Sequence, residues 1–162
     1  MAREISSGGV VVRHTRGDWY MAAIVPAGQD SSGRPGRPPK KQVLALPKGL
    51  VDKGERPDQT ALREVHEETG VQAALISKLG DIKYTYIRSW GDGEKVFKIV
   101  SFYLLKYTAG EIDDITPAMR QEVSRAEWIP LAEAGKLLSY KGEREMAAKA
   151  LACIESHPEL AT

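Results

Sequence analysis

The sequence predicts an α/β fold in which a mixed β-sheet is covered by helices. Three observations point there. Apolar, β-branched runs outnumber helical patterns, and the helical patterns fall between and after those runs. Two long runs flank a Gly-Asp-Gly turn at 91–93, which pairs them as antiparallel strands. The 162 residues, 42% of them hydrophobic, argue for one compact domain, 1–162, with a sizeable core.

In chain order, GGVVVRH (8–14) and DWYMAAIVP (18–26) read as strands around the polar turn 14–18. Residues 27–42, AGQDSSGRPGRPPKKQ, are too rich in Gly and Pro for a sheet interior or a helix, so they read as a long loop. With Arg34, Arg37, Lys40 and Lys41 it is either a flexible hairpin insertion or a basic flap over an anionic substrate. QVLALP (42–47) reads as a short buried strand, and 57–69 as a helix. Residues 73–89 and 95–107 are the paired strands, and RAEWIP (125–130) one more. Pro130 opens a short helix through 131–138. A terminal helix over 143–157 sets Met146, Ala147, Ala150, Leu151 and Ile154 on one face.

The formal net charge of +1 excludes a global pull toward nucleic acid or membrane, so any charge-based function rests on local clusters. The single cysteine, Cys153, allows no internal disulfide and reads as a buried thiol in a reducing compartment. The N-terminal MAREISSGGVVV lacks a signal-peptide core, and no apolar run reaches the roughly 18 residues that span a bilayer. A soluble cytoplasmic protein is expected, with no membrane partner and no stable nucleic-acid partner; the oligomeric state is left open.

The 57–69 helix breaks local rules at one place. Pro57 suits its first position, Asp58 its first turn and Gly70 its left-handed stop. Ala61, Leu62, Val65 and Thr69 share a band of about 100° that faces a core. Glu64, Glu67 and Glu68 share another face near the C-terminus, where the helix dipole disfavours each by roughly 0.3–1 kcal/mol. Glu64 and Glu68 also repel each other at i, i+4, and only Arg63 offers local relief, in the less favourable orientation. Either this is a solvated acidic face, or a divalent cation resolves the conflict. Three carboxylates on one turn make a hard oxygen site suited to Mg²⁺ or Mn²⁺. His14, His66 and His157 are scattered and read as surface residues.

Residues 49–71 resemble the Nudix box, G-x5-E-x7-R-E-U-x-E-E-x-G-U with U aliphatic. Gly49, Glu55, Arg63, Glu64, Val65, Glu67, Glu68, Gly70 and Val71 fill it without a departure. The resemblance implies an α/β/α sandwich with a mixed sheet, and Mg²⁺-dependent hydrolysis of a nucleoside diphosphate linked to another group. It implies Glu64 and Glu68 as the main metal ligands, Glu67 in the same cluster, and the Gly49 carbonyl joining them. Arg63 would orient the glutamates, and Glu55 would pair with Arg63 or reach the metal through water. Glu67 or Glu64 is the candidate general base. Family members differ in where the base sits, and Glu122 is the candidate for a further ligand from a loop, its bland alternative being an exposed acid.

LPKG (46–49) resembles the diadenosine-polyphosphate and diphosphoinositol branches, and the tyrosines of KYTYIR and LSYKGERE (138–145) resemble the first of these. Strand alternation sets Tyr84 and Tyr86 on one face. Lys98 lies in the Val96–Phe102 row of the paired strand, and Tyr103 in the Phe97–Ser101 row. Lys48 and Lys98 are candidate phosphate contacts, and Tyr84, Tyr86 and Tyr103 candidate base contacts. A small-molecule dinucleoside polyphosphate is the leading substrate. The alternatives are oxidised or ordinary nucleoside triphosphates, and a module that binds a nucleotide without cutting it.

Overall fold

A computed structural model describes residues 2–28, 42–89 and 91–161. The expected basic loop at 27–42 falls largely on residues 29–41, outside the described residues. The chain runs β1 (Ala2–Thr15), β2 (Asp18–Pro26), β3 (Lys48–Leu50), α1 (Pro57–Thr69), β4 (Val71–Ile87), β5 (Lys95–Gly110), β6 (Val123–Pro130), α2 (Ala134–Leu137) and α3 (Lys141–Glu155). Short 3₁₀ turns occupy Met119–Gln121, Leu131–Glu133 and Pro158–Ala161. The six strands form one mixed sheet in the order β4-β5-β1-β2-β6, with β3 on β1.

The predicted pairings of β1 with β2 and of β4 with β5 are present and antiparallel. β1 begins earlier than its apolar run suggests, because most of its length gains a parallel partner in β5, from Ala2↔Val96 to Val12↔Lys106. The expected strand at 42–47 is absent as such: Ala45 makes one isolated bridge to Ile24, and the ladder begins only after Pro47. Proline has no N–H to give a ladder, so β3 starts at Lys48. Ala45 and Leu46 are nevertheless buried, as their apolar character requires. Gly8 is what lets this segment close on β1: a Cβ there would lie 2.2 Å from the Pro47 carbonyl oxygen.

Paired residues project to the same side of the sheet, so the register divides the core. Val10, Val12, Val100, Phe102 and Leu104 face one side, under Leu131, Ala134, Leu138, Met146, Ala147, Ala150 and Ile154 of the C-terminal helical region. Leu151 and Cys153 are only partly buried against this cluster, so the thiol lies at the edge of the packing rather than within it. Val11, Ala22, Val71 and Leu105 face the other side, under Ala61 and Val65 of α1, with Leu62 at the margin. Helices on both faces of a mixed sheet make the expected α/β/α sandwich. Among the described residues no helix is long and apolar enough to cross a membrane.

α1 has the predicted bounds, with Pro57 in its first turn. Gly70 ends it in the left-handed conformation (φ 87°), its N–H donating to the His66 carbonyl at 2.9 Å. Two effects make this glycine necessary. A side chain in that conformation costs about 1–2 kcal/mol, and a Cβ would lie 2.5 Å from the Glu111 carbonyl oxygen. Gly54 shares the conformation (φ 82°) with nothing within 4 Å. Gly70→Ala is therefore expected to lose more stability than Gly54→Ala, which loses only the conformational part, about 1–2 kcal/mol. Denaturant titration of both variants measures the difference.

Candidate active site

The site begins with the alternation of β3. Gly49 pairs with Ser7 and turns toward α1, whereas Lys48 pairs with Gly8 and sends its side chain to the opposite side of the sheet. The Lys48 backbone N–H donates to Glu68 Oε1 at 3.0 Å, which ties strand to helix. An ideal Cβ on Gly49 would lie 2.2 Å from Glu64 Oε1, so only glycine leaves room for that carboxylate.

The helix acids do not form a solvated face. Glu64 is 8% exposed and Glu68 6%, while the Glu67 side chain keeps 41% of its surface. Arg63 does far more than relieve Glu67. Its Nη1 donates to Glu64 Oε1 at 2.9 Å and to both Glu67 oxygens at 3.2 Å. Its Nε and Nη2 grip Glu55 at 2.8 and 3.0 Å, and Nη2 also reaches the Leu50 carbonyl and Asp52. Thr60 Oγ1 donates to Glu55 Oε1 at 2.5 Å, a contact that sequence reasoning misses because Thr60 lies on the buried side of the first turn.

These contacts set the protonation. Arg63, then Thr60, hold Glu55 well below the usual carboxylate range, at about 2. The acids around Arg63, Glu55 foremost, push its own proton affinity up. Burial pushes Glu68 to about 8, against the pull of the Lys48 N–H. Burial also raises Glu64, partly offset by Arg63. Glu122, exposed at the entry to β6, adds like charge to both Glu64 and Glu68.

Burial disfavours the charged forms of both Glu64 and Glu68, and the Arg63 guanidinium beside Glu64 and the Lys48 N–H on Glu68 offset this only in part. Hard oxygen donors of this kind suit Mg²⁺ or Mn²⁺. Arg63 Nη1 now bridges Glu64 and Glu67, and among the described residues no three acidic, histidine or cysteine side chains gather around a common point.

On the far side of β3 lies a cavity of about 470 Å³ lined by Lys48, Ile82, Tyr84, Val100, Phe102, Tyr140, Gly142 and Glu143. It brings together Lys48 and Tyr84 of the predicted binding residues. Lys98 and Tyr86 lie on the same face but beyond its wall, both drawn to Glu4: Lys98 Nζ at 3.9 Å from Oε2, and the Tyr86 hydroxyl donating to Oε1. Tyr103 is not with them. Its register with Lys78 turns it to the α1 side, where it packs on the cluster of Val11, Ala61 and Leu105.

Glu143, 4% exposed, is the residue the sequence reading passes over. Its Oε1 accepts the Leu46 N–H and its Oε2 the Lys48 ammonium, each at 2.7 Å. The signal was present: Glu143 stands three and four residues ahead of Met146 and Ala147, on the apolar stripe of α3. His14, His66 and His157 are exposed, as expected.

Comparison with known proteins agrees with this architecture. The NUDIX domain model matches residues 10–150, and the chain belongs to that family. It is 36% identical over 146 residues to a protein named MutT4 from Mycobacterium tuberculosis, covering 89% of this chain and 53% of that protein. It is 33% identical over 108 residues to an 8-oxo-(d)GTP phosphatase of Mycolicibacterium smegmatis, covering 67% of this chain and 30% of the relative. The chain thus spans about half, or less, of the length of these two relatives. Among solved structures, a Caenorhabditis elegans Ap4A hydrolase shares the fold with a TM-score of 0.66 at 20% identity, over 94% of this chain and 98% of that one. The NUDIX domain of Shewanella oneidensis NrtR, solved with ADP ribose, does so with 0.62 at 20% identity, over 95% and 90%.

Two measurements probe the site. In Gly49→Ala the new methyl group displaces Glu64 without backbone strain. Millimolar Mg²⁺ or Mn²⁺ is expected to raise the Tm of the parent, and the variant to keep a cooperative melt but lose most of that shift. Glu55 titrates far below its ordinary value of 4.5, so its stabilisation is present above that pH and is lost as pH falls toward about 2. The Tm gap between the parent and Glu55→Gln should close across that window in a pH series of melting curves.

Proposed function

We propose that this chain hydrolyses a pyrophosphate linkage in a nucleoside diphosphate joined to another moiety, with Mg²⁺ or Mn²⁺, and that its substrate is a dinucleoside polyphosphate such as diadenosine tetraphosphate. The observation that carries the reading is the shared use of Lys48. Its backbone holds Glu68 of the acidic cluster, while its side chain enters a cavity walled by Tyr84, Phe102 and Tyr140. A base stacked on a tyrosine there would leave its phosphates running past Lys48 toward the glutamates.

In this reading Glu64 and Glu68 hold the cation, with Glu67 and the Gly49 carbonyl beside them and Glu122 available from the β6 entry. The cation would neutralise the pyrophosphate and acidify water. Arg63 and Glu55 keep the carboxylates in place. A water oxygen attacks phosphorus, the bridging P–O bond breaks, and the leaving phosphate departs with its electron pair. Of the two candidate bases, Glu67 is the more open, since Glu64 is closed in by Gly49; Glu67 takes the water's proton.

A second reading, hydrolysis of oxidised or ordinary nucleoside triphosphates, is favoured by the names of the mycobacterial relatives. A non-catalytic nucleotide-binding role fits less well, because a module that only binds has no need of a full set of box glutamates. Turnover of diadenosine polyphosphates, ADP-ribose, nucleotide sugars, oxidised dGTP, dNTPs and diphosphoinositol phosphates, with products resolved, discriminates these readings. Glu64→Gln is expected to lower kcat by two orders of magnitude or more with an unchanged melt; near-parental turnover would overturn the assignment.

A further inference from the structure

We propose that a second cavity, walled in part by Glu67 of the acidic cluster, receives the far nucleoside of the substrate; this rests on the dinucleoside polyphosphate reading above. Glu67 forms part of its wall. His66, Asp114, Ile115, Thr116 and Met119 complete a space of about 510 Å³, within the range of about 300–1,000 Å³ that small-molecule sites occupy. The acidic cluster thus touches both cavities: Glu67 lines this one, and Lys48, whose N–H holds Glu68, lines the other.

The two cavities differ in chemistry. The first offers an ammonium and aromatic rings. The second carries two carboxylates, Glu67 and Asp114, and among the described residues neither lysine nor arginine lines it. A phosphate tail would meet like charge there. A ribose and base would not: their hydroxyl and amino groups donate to carboxylates, and Ile115 and Met119 supply an apolar wall. A nucleoside triphosphate has one nucleoside and fills one cavity. A dinucleoside polyphosphate presents neutral groups at both ends of an anionic chain and fills both, with the chain lying across the glutamates.

The second cavity is built before any ligand arrives. Asp113 (φ 72°) accepts Arg120 Nη1 and the Ala126 N–H on one carboxylate oxygen, both at 2.8 Å. Its own N–H donates to the Thr69 carbonyl at 2.8 Å, which anchors the wall to the end of α1. Asp114 follows with an exposed side chain, so a bulky residue there can fill the space while the anchor stays intact.

The test compares binding of diadenosine tetraphosphate and of ATP by calorimetry with Mg²⁺, in a Glu64→Gln background that prevents turnover. Asp114→Trp, and separately Thr116→Trp, narrow the cavity, and melting curves confirm that each variant folds. The expected result is that filling weakens the dinucleotide at least about tenfold more than it weakens ATP. In the active protein the ratio of the two kcat/KM values should shift the same way. Equal weakening of both ligands, or of neither, in both variants would overturn the subsite. A parent enzyme that turns over neither substrate would instead defeat the proposed activity, and the binding comparison would still decide the subsite.

Discussion

The guanidinium of Arg63 is the contact on which the site's organisation depends. One planar group joins Asp52, Glu55, Glu64, Glu67 and the Leu50 carbonyl. Lysine could not take its place, because a single ammonium lacks the fork of five donors that reaches both sides of the box. The loop from Leu50 to Glu55 is drawn onto α1 through this group. The acids that local helix rules disfavour are held in one arrangement by it, and the charge it supplies is partial. Glu68 lies outside its reach, and burial leaves that residue with a pKa of about 8.

Placing Glu64 and Glu68 out of water is costly, roughly several kcal/mol per ion when nothing compensates. The fold accepts that cost at the point where β3 meets α1. Three residues of β3 serve both sides of the sheet because side chains alternate along a strand. Gly49 yields space to Glu64, and Lys48 enters the aromatic cavity where Glu143 receives it. The glutamate cluster and the aromatic cavity thus meet across one short strand, and the buried Glu143 links that strand to α3.

Much of this was legible beforehand. The bounds of α1 followed from Pro57, the spacing of Ala61, Val65 and Thr69, and Gly70, all signals local to a few residues. The β4–β5 pairing followed from a turn that joins neighbours in sequence. The misplaced strand at 42–47 and the early start of β1 have one cause: strand bounds depend on a distant partner. Composition marked 42–47 as apolar, and apolar it is, yet Pro47 kept it out of the ladder until Lys48. For Tyr103 alternation along β5 already set it opposite Lys98, and only the packing of α1 showed that its row faces that helix rather than the cavity.

The amino-acid sequence by itself determined the class of fold, the acidic helix and the chemistry its glutamates suit, because those depend on spacing within one segment. Tertiary structure decided which carboxylates lose water, that Glu55 takes the Arg63 pairing out of the two roles expected of it, and that Glu143 meets Lys48 across 95 residues of chain. It also brought Lys48 into one cavity and Glu67 into another. Periodicity within one segment marks which face is buried, but which distant residues meet that face is a property of the packed chain.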